Sequence, residues 1–252
     1  MKEFFAYFFG QGTQQEFSLF TPAHFAPIVL MLLVIFGIYK KRDALAQCKY
    51  EEKLRYGMAF ALIICDMSYY WRLAVMPSLG GNVVENLPIG ISAWTVIFCS
   101  FLMIGKSQTL FDIIYFWLLS GSLFALITPT PLTYTGPTRY RYYQFWLEHT
   151  LGYSSVFYMI FVHKMRPTVR SAFKSAIAMA VMVVIAYWVN QLVPGANYLY
   201  MARPEAAPSI LDILPPNFAL RVSIMAFAIG VMYWLAYLPW HLKDKKAKTA
   251  IK

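Results

Sequence analysis

Seven apolar stretches are the feature that most restricts how this chain folds. A helix of about 20 apolar residues crosses the roughly 30 Å hydrocarbon core of a bilayer, and only 13% of the 252 residues are charged, about half the share of a soluble domain. The sequence therefore predicts a single all-α domain over 1–252, a polytopic membrane bundle of seven transmembrane helices. The predicted spans lie near 23–39, 57–76, 88–104, 109–128, 144–163, 172–193 and 219–240.

The distribution of basic residues predicts the orientation of the bundle. Sixteen of the 22 Lys and Arg residues lie in or beside the first, third and fifth loops and in the basic tail 241–252. Because Lys and Arg concentrate in cytoplasmic loops, we expect the N-terminus outside, the C-terminus in the cytoplasm, and the loops 40–56 and 164–171 cytoplasmic. The Phe-rich residues 1–22 are predicted to lie at the outer interface.

The net charge of +10 belongs to this topology signal, so no nucleic-acid partner is predicted. Membrane phospholipids are the expected partners, with anionic headgroups beside the basic tail, and a protein partner stays open. No cleavable signal peptide is predicted, because the positive charges follow the first apolar run. Cys48, Cys65 and Cys99 show no paired spacing, and neither a disulfide, a metal nor a cofactor is expected.

Polar residues inside the spans are the candidate functional residues, since they are costly at membrane depth. Asp66 lies in the middle of the second span and Arg72 at its outer end. In the fifth span, His149 follows Gln144 and reaches a depth similar to that of Ser92 in the third. Histidine suits general-base catalysis near neutral pH, and a serine near such a base becomes a useful nucleophile.

Structural roles are the alternative for each of these residues. Arg72 can extend to the headgroups, Asp66 can form a hydrogen bond inside the bundle, and His149 can pack in the core. A serine in a transmembrane helix usually bonds its own backbone or a neighbouring helix, which is the alternative for Ser92.

Further polar residues gather on the predicted outer side. We expect an outward-opening pocket on which His24, Asp66, Ser92, His149 and Asn197 converge. Arginine side chains there are expected to receive a phosphate headgroup. The predicted substrate-binding residues are His24, Arg72, Gln144, Arg139, Arg141, Asn197 and Tyr198.

Several segments give the chain a family resemblance. In order they are "FSLFTPAHF" at 17–25, "SYYWR" at 68–72, "NLPIGIS" at 86–92, "YFWLLSGSLFALITP" at 115–129, "QFWLEH" at 144–149, "RPT" at 166–168, and "NYLY" with "SILDIL" within 197–214. The chain resembles the YwaF family of bacterial integral membrane proteins, which is related to the mammalian ether-phospholipid acyltransferase of ferroptosis. The resemblance implies a location in the bacterial plasma membrane.

The resemblance also implies a site. The family motif reads Leu-Pro-Leu-His-x-Cys, and its cysteine is the proposed acyl-accepting nucleophile. Here the motif falls on 87–92, where Gly90 replaces the histidine and Ser92 the cysteine, while the second family histidine is kept as His149.

Two functions remain open at this point. The first is an intramembrane lipid acyltransferase or lipid-ester hydrolase acting from the outer leaflet, with Ser92, His149 and Asp66 as catalytic residues. The second is a non-catalytic lipid-binding or partner-binding membrane subunit that has lost the nucleophile. A transporter is less favoured, because the sequence shows no repeat.

Overall fold

Helices form all the regular secondary structure of the described residues. The computed structural model describes residues 2–12, 17–76, 87–129, 136–203 and 210–249. A π turn, Leu118–Ser122, joins the helices Gln108–Trp117 and Leu123–Ile127, and short 3-10 turns lie at Tyr198–Tyr200 and Ile210–Ile213. The α-helices are α1 Lys2–Phe9, α2 Pro22–Lys40, α3 Arg42–Ala46, α4 Glu51–Val75, α5 Ile91–Gly105, α6 Gln108–Trp117, α7 Leu123–Ile127, α8 Tyr140–Phe161, α9 Val169–Leu192 and α10 Phe218–Thr249.

The predicted all-α, multi-pass architecture is confirmed. A helix overlaps each of the seven predicted spans, and five helical segments are long and apolar enough to cross a membrane: α2, α4, the continuous stretch from α6 through α7, α9 and α10. Helix α5 is shorter, with 15 residues, and α8 carries more polar residues. The count of seven crossings therefore stays a prediction.

Two helices extend furthest beyond their predicted limits. Helix α4 begins at Glu51 rather than near residue 57, and α10 continues through Pro239 to Thr249. Residues 241–249 of the predicted basic tail are thus helical. Residues 13–16 of the predicted interfacial segment and 250–252 of the tail lie outside the described residues.

Helix α8 occupies the centre of the bundle and packs against α2, α4 and α5. Its sequence has apolar and small side chains on several faces, so that most of its length is buried. Helix α9 packs against α6, and α10 lies against α6 and the π turn. At one end of the bundle, the aromatic residues of α1 rest on α8, with the rings of Phe9 and Tyr140 5.3 Å apart.

Arg55 falls within the predicted loop 40–56 but is part of a helix. It lies in α4, is 2% exposed, and donates from Nε to Glu51 at 2.8 Å. Its Nη1 donates to the carbonyl oxygens of Met103 and Ile104, which would otherwise be unpaired at the end of α5. Its charge therefore joins two helices.

Other charged residues meet at the same end of the bundle. Lys174 of α9 pairs with Asp112 of α6 at 2.7 Å, and Arg166 pairs with Asp244 of α10 at 2.6 Å. The first, fifth and tail clusters of basic residues thus belong to one end of the molecule.

Candidate functional site

The contacts of α4 establish the relative direction of α5 and α8. Arg55, near the start of α4, donates to Met103 near the end of α5. In the same region, Tyr158 near the end of α8 donates to Glu51 at 3.0 Å. Because α5 and α8 both end where α4 begins, they run parallel to each other.

One contact then gives the register between α5 and α8. Cys99 Sγ lies 3.7 Å from the carbonyl oxygen of Gly152. Seven residues are two helical turns, or about 10 Å, so Ser92 and Phe145 each lie two turns before this contact on the contacting face of their helix. Ser92 therefore faces the part of α8 around Phe145, at about the same level.

His149 lies in this part of α8 and is 7% exposed. Its Nδ1 is 2.8 Å from the carbonyl oxygen of Phe145. A carbonyl only accepts hydrogen bonds, so Nδ1 is the donor and the neutral ring keeps its lone pair on Nε2. This Nε2 is buried and has no hydrogen-bond partner among the residues that the structure describes. The bond to Phe145 also holds the ring one turn back along α8, towards the level of Ser92.

Ser92 is the second residue of α5 and is partly exposed. The helix is capped by Gly90, which has no side chain to bond the first N–H groups. These N–H groups also have no intrahelical partner, so they are available to a negative oxygen. Ser92 and His149 are not hydrogen-bonded to each other, since His149 Nε2 has no partner.

The segment before Ser92 is held by the loop that follows α9. Tyr198 accepts a hydrogen bond at its hydroxyl from Leu87 N–H at 2.8 Å. Ile89 is buried in a small cluster with Ala186 and Met201. Tyr198, a predicted substrate-binding residue, thus positions the motif that contains Ser92.

Gly121 of the π turn allows the start of α5 to approach closely. A Cβ at this position would lie 2.9 Å from both Cδ1 and Cγ2 of Ile91, the residue next to Ser92. π turns often occur at functional sites. Here the turn supplies the space in which the α5 N-terminus packs.

We expect Gly121→Ala to lower the free energy of unfolding by about 1–3 kcal/mol, because the added methyl overpacks against Ile91. Ile91→Ala in the same chain should recover part of this loss. Gly37→Ala is the matched control, because no atom lies within 4 Å of the added Cβ. Thermal unfolding in one detergent would compare the variants, and equal stability of both glycine variants would contradict the close contact.

A chain of hydrogen bonds links α4 to α8 beside His149. Gln144 donates to the carbonyl oxygen of Cys65 at 3.1 Å and to the buried carboxylate of Glu148 at 2.5 Å. Arg141 donates to Gln144 Oε1. Gln144 is therefore engaged within the protein, and Glu148 is a buried acid that was absent from the predicted site. The sequence could have revealed this pair, because residues four apart on a helix, such as Gln144 and Glu148, lie on the same face and can bond to each other.

Arg72 near the end of α4 and Arg141 near the start of α8 lie close together. Their guanidinium groups are 5.3 Å and 4.5 Å from the ring centroid of Tyr69. Arg72 also donates to the carbonyl oxygen of Phe9 at 3.3 Å, while its buried Nε has no partner. Within the described part of the chain, neither arginine forms an ion pair with an acidic side chain.

Arg139 and His24 have structural contacts. Arg139 is buried, donates to the carbonyl oxygens of Tyr7 and Gln11, and lies 3.6 Å from the Tyr7 ring centroid. His24 accepts from Phe20 N–H at 3.1 Å and its Nε2 is 2.8 Å from Leu126 O. Both nitrogens of His24 are therefore bonded to backbone.

Asn197 organises its own loop. Its Oδ1 accepts from the N–H groups of Ala202 and Arg203, and its amide donates to the Arg203 carbonyl at 2.8 Å. These three bonds use both polar ends of the side chain.

The predicted residues thus have separate surroundings. By the register of α5 and α8, Ser92 and His149 lie at a similar level on neighbouring helices. Asp66 lines a cavity between α4 and α5. The ring of His149 is held by its bond to the Phe145 carbonyl oxygen, and neither Asp66 nor His24 is hydrogen-bonded to it. Among the described residues, no group of three or more His, Cys, Asp or Glu side chains is arranged for a metal ion.

The helices and their buried polar groups define a multi-pass helical membrane protein with polar side chains within the bundle. The chain belongs to the TMEM164 family, whose family model matches residues 12–236. No curated protein and no solved structure matches the chain.

Proposed function

We propose that the protein transfers or hydrolyses acyl groups of membrane phospholipids from the outer leaflet of a bacterial plasma membrane. Ser92 is the nucleophile and His149 the general base. The proposal includes kinship with the YwaF family and with the mammalian ether-phospholipid acyltransferase. The alternative, a lipid-binding or partner-binding subunit without catalysis, is an outcome of the tests below.

The state of His149 is the observation that carries the proposal. Its Nδ1 is bonded to Phe145, whereas Nε2 is buried and has no hydrogen-bond partner among the described residues. A buried polar atom without a partner is costly, and a neutral imidazole with a free Nε2 is the form that accepts a proton from a nucleophile. The cost is understandable if Nε2 acts on a substrate or on Ser92.

The reaction follows from these groups. The Ser92 hydroxyl oxygen attacks the ester carbonyl carbon while its proton passes to His149 Nε2. The negative oxygen of the tetrahedral intermediate is stabilised by the free N–H groups at the start of α5. The C–O bond then breaks, and His149 returns the proton to the leaving alcohol. A second alcohol, or water, attacks the Ser92 ester by the same steps in reverse, which frees the serine.

Arg72 and Arg141 are the proposed headgroup contacts. Two guanidinium groups lie close to the Tyr69 ring, and neither forms a direct ion pair with an acidic side chain among the described residues. A phosphate would offset their mutual repulsion and accept their N–H groups. Arg139, in contrast, is bonded to backbone.

The proposed topology has seven crossings, with the N-terminus outside and the C-terminus in the cytoplasm. Cys48 is free and exposed, while Cys65 and Cys99 are buried. In intact cells we expect an impermeant maleimide to leave Cys48 unmodified and to label it after permeabilisation. Ala202→Cys, which is exposed in the outer loop, should react in intact cells. Labelling of Cys48 from outside would contradict this orientation.

A lipid fluorophosphonate tests the nucleophile. The purified protein is expected to form an adduct on Ser92, located by peptide mass spectrometry, and His149→Gln should slow its formation. Ser120→Ala is the matched control, because the Ser120 hydroxyl bonds its own helix at Phe116. Absence of any adduct would favour the lipid-binding or partner-binding subunit.

A further inference from the structure

A cavity between α4 and α5 lies outside the proposed Ser92–His149 chemistry. Its volume is about 390 Å³, within the range of roughly 300–1,000 Å³ usual for small-molecule sites. Its walls are almost entirely apolar. The described residues that line it are Ile63, Asp66, Met67, Tyr70, Leu87, Pro88, Val96, Ile97, Ser100 and Phe101.

Asp66 is the exception in this apolar wall. The side chain is 8% exposed, and it forms no hydrogen bond or ion pair with any described residue. Glu148, the nearest buried acid on α8, is bonded to Gln144 instead. A buried carboxyl group without a donor is costly. The cavity therefore presents one unused acceptor to a ligand.

The cavity is reached from the lipid-facing surface. Ile63 and Phe101 line it and are 44% and 58% exposed on the outside of α4 and α5. Between Ile63 and Tyr70 the cavity follows α4 for about 10 Å. A ligand from the hydrocarbon region can enter sideways between these residues with one chain along the apolar wall.

We propose that this cavity binds a single-chain amphiphile from the membrane, whose hydrocarbon chain contacts the apolar walls and whose hydroxyl or ammonium group donates a hydrogen bond to Asp66. A double-chain lipid would need a wider space. A purely apolar chain would leave the carboxyl group unpaired. The inference needs no catalysis by Ser92.

The test uses photoreactive probes and the full-length Ser92→Ala protein in detergent, so that binding is separated from turnover. The probes are a diazirine-bearing hexadecanol, its methyl ether, the corresponding primary amine and its N-acetyl-N-methyl amide, which has neither a charge nor an N–H donor. Saturable crosslinking to peptides of α4 and α5 gives the affinity. The alcohol should bind about tenfold more tightly than the ether, or the amine than the amide, as expected for one hydrogen bond to a carboxylate.

Variants of Asp66 test whether this difference in affinity between matched probes comes from the Asp66 side chain. Asp66→Leu should remove the preference for the donor in both probe pairs, and it should fold, because the change removes an unpaired buried group. Asp66→Asn, of the same shape, should abolish any preference that depends on the charge of the amine.

A substitution that fills the cavity is the second part of the test. Ile97→Trp fills the cavity and should abolish saturable crosslinking of all four probes. Ile104→Trp places the same side chain two turns further along the same helix face, beyond the cavity, and should leave crosslinking unchanged. The proposal is overturned if neither donor probe binds better than its matched partner, or if Ile97→Trp leaves crosslinking intact.

Discussion

Replacing His149 by alanine is expected to slow acyl transfer by about 10²- to 10⁴-fold, the usual contribution of a positioned general base. The side chain is buried and bonded only to Phe145 of its own helix, so its removal leaves no distant partner unpaired. Turnover of phospholipid by the purified protein in vesicles is the measurement. His241→Ala, at an exposed position of α10, is the matched control and should keep the wild-type rate.

The double variant Ser92→Ala/His149→Ala separates a catalytic pair from two independent effects. If the two residues act as one unit, the double variant should be no slower than the slower single variant. Ser92→Cys should keep or raise activity, because a thiol ionises more readily than a hydroxyl beside a histidine. Additive losses, or loss of activity in Ser92→Cys with an intact fold, would contradict the pair.

Arg55→Met is expected to cause the largest loss of stability, about 3–5 kcal/mol, the usual cost of removing one partner of a buried ion pair. The substitution removes the guanidinium partner of Glu51 and the hydrogen-bond donor to the carbonyl oxygens of Met103 and Ile104. Thermal unfolding in a single detergent measures it.

Arg42→Met is the control for this prediction. Arg42 is 3.7 Å from Asp43 in an exposed pair, and such pairs contribute about 0–1 kcal/mol. Comparable losses of unfolding free energy in both variants would contradict the prediction that the buried ion pair of Arg55 contributes more than the exposed pair of Arg42. Glu51→Gln combined with Arg55→Met should be less harmful than the sum of the two single changes.

The approximate positions of the helices could be predicted from the sequence because long apolar runs favour helices at membrane depth. A helix lies at the predicted fifth span as well, where α8 has polar residues that lower its hydropathy. The start of α4 was missed because charged residues near a span usually lie in water. Arg55 is buried through carbonyl groups of α5, which lie 48 and 49 residues away in the chain, and local patterns do not contain such contacts.

Two neighbouring arginines are a second case in which long-range contacts could not be predicted from the sequence. Arg139 and Arg141 are two residues apart and look equivalent in the sequence. One donates to the carbonyl oxygens of Tyr7 and Gln11, while the other lies over Tyr69. The difference depends on where α1 packs. The close approach of Ile91 to Gly121 likewise depends on a π turn that hydropathy does not reveal.

The rate of acyl transfer from phospholipid by purified wild-type protein and by Ser92→Ala, reconstituted in the same vesicles, tests the central claim most directly. The nucleophile role predicts that Ser92→Ala loses at least about 10³-fold in rate, as removal of a catalytic serine does. Its thermal unfolding should stay close to wild type, because a serine hydroxyl contributes little to stability. Equal rates for the two proteins would contradict the claim.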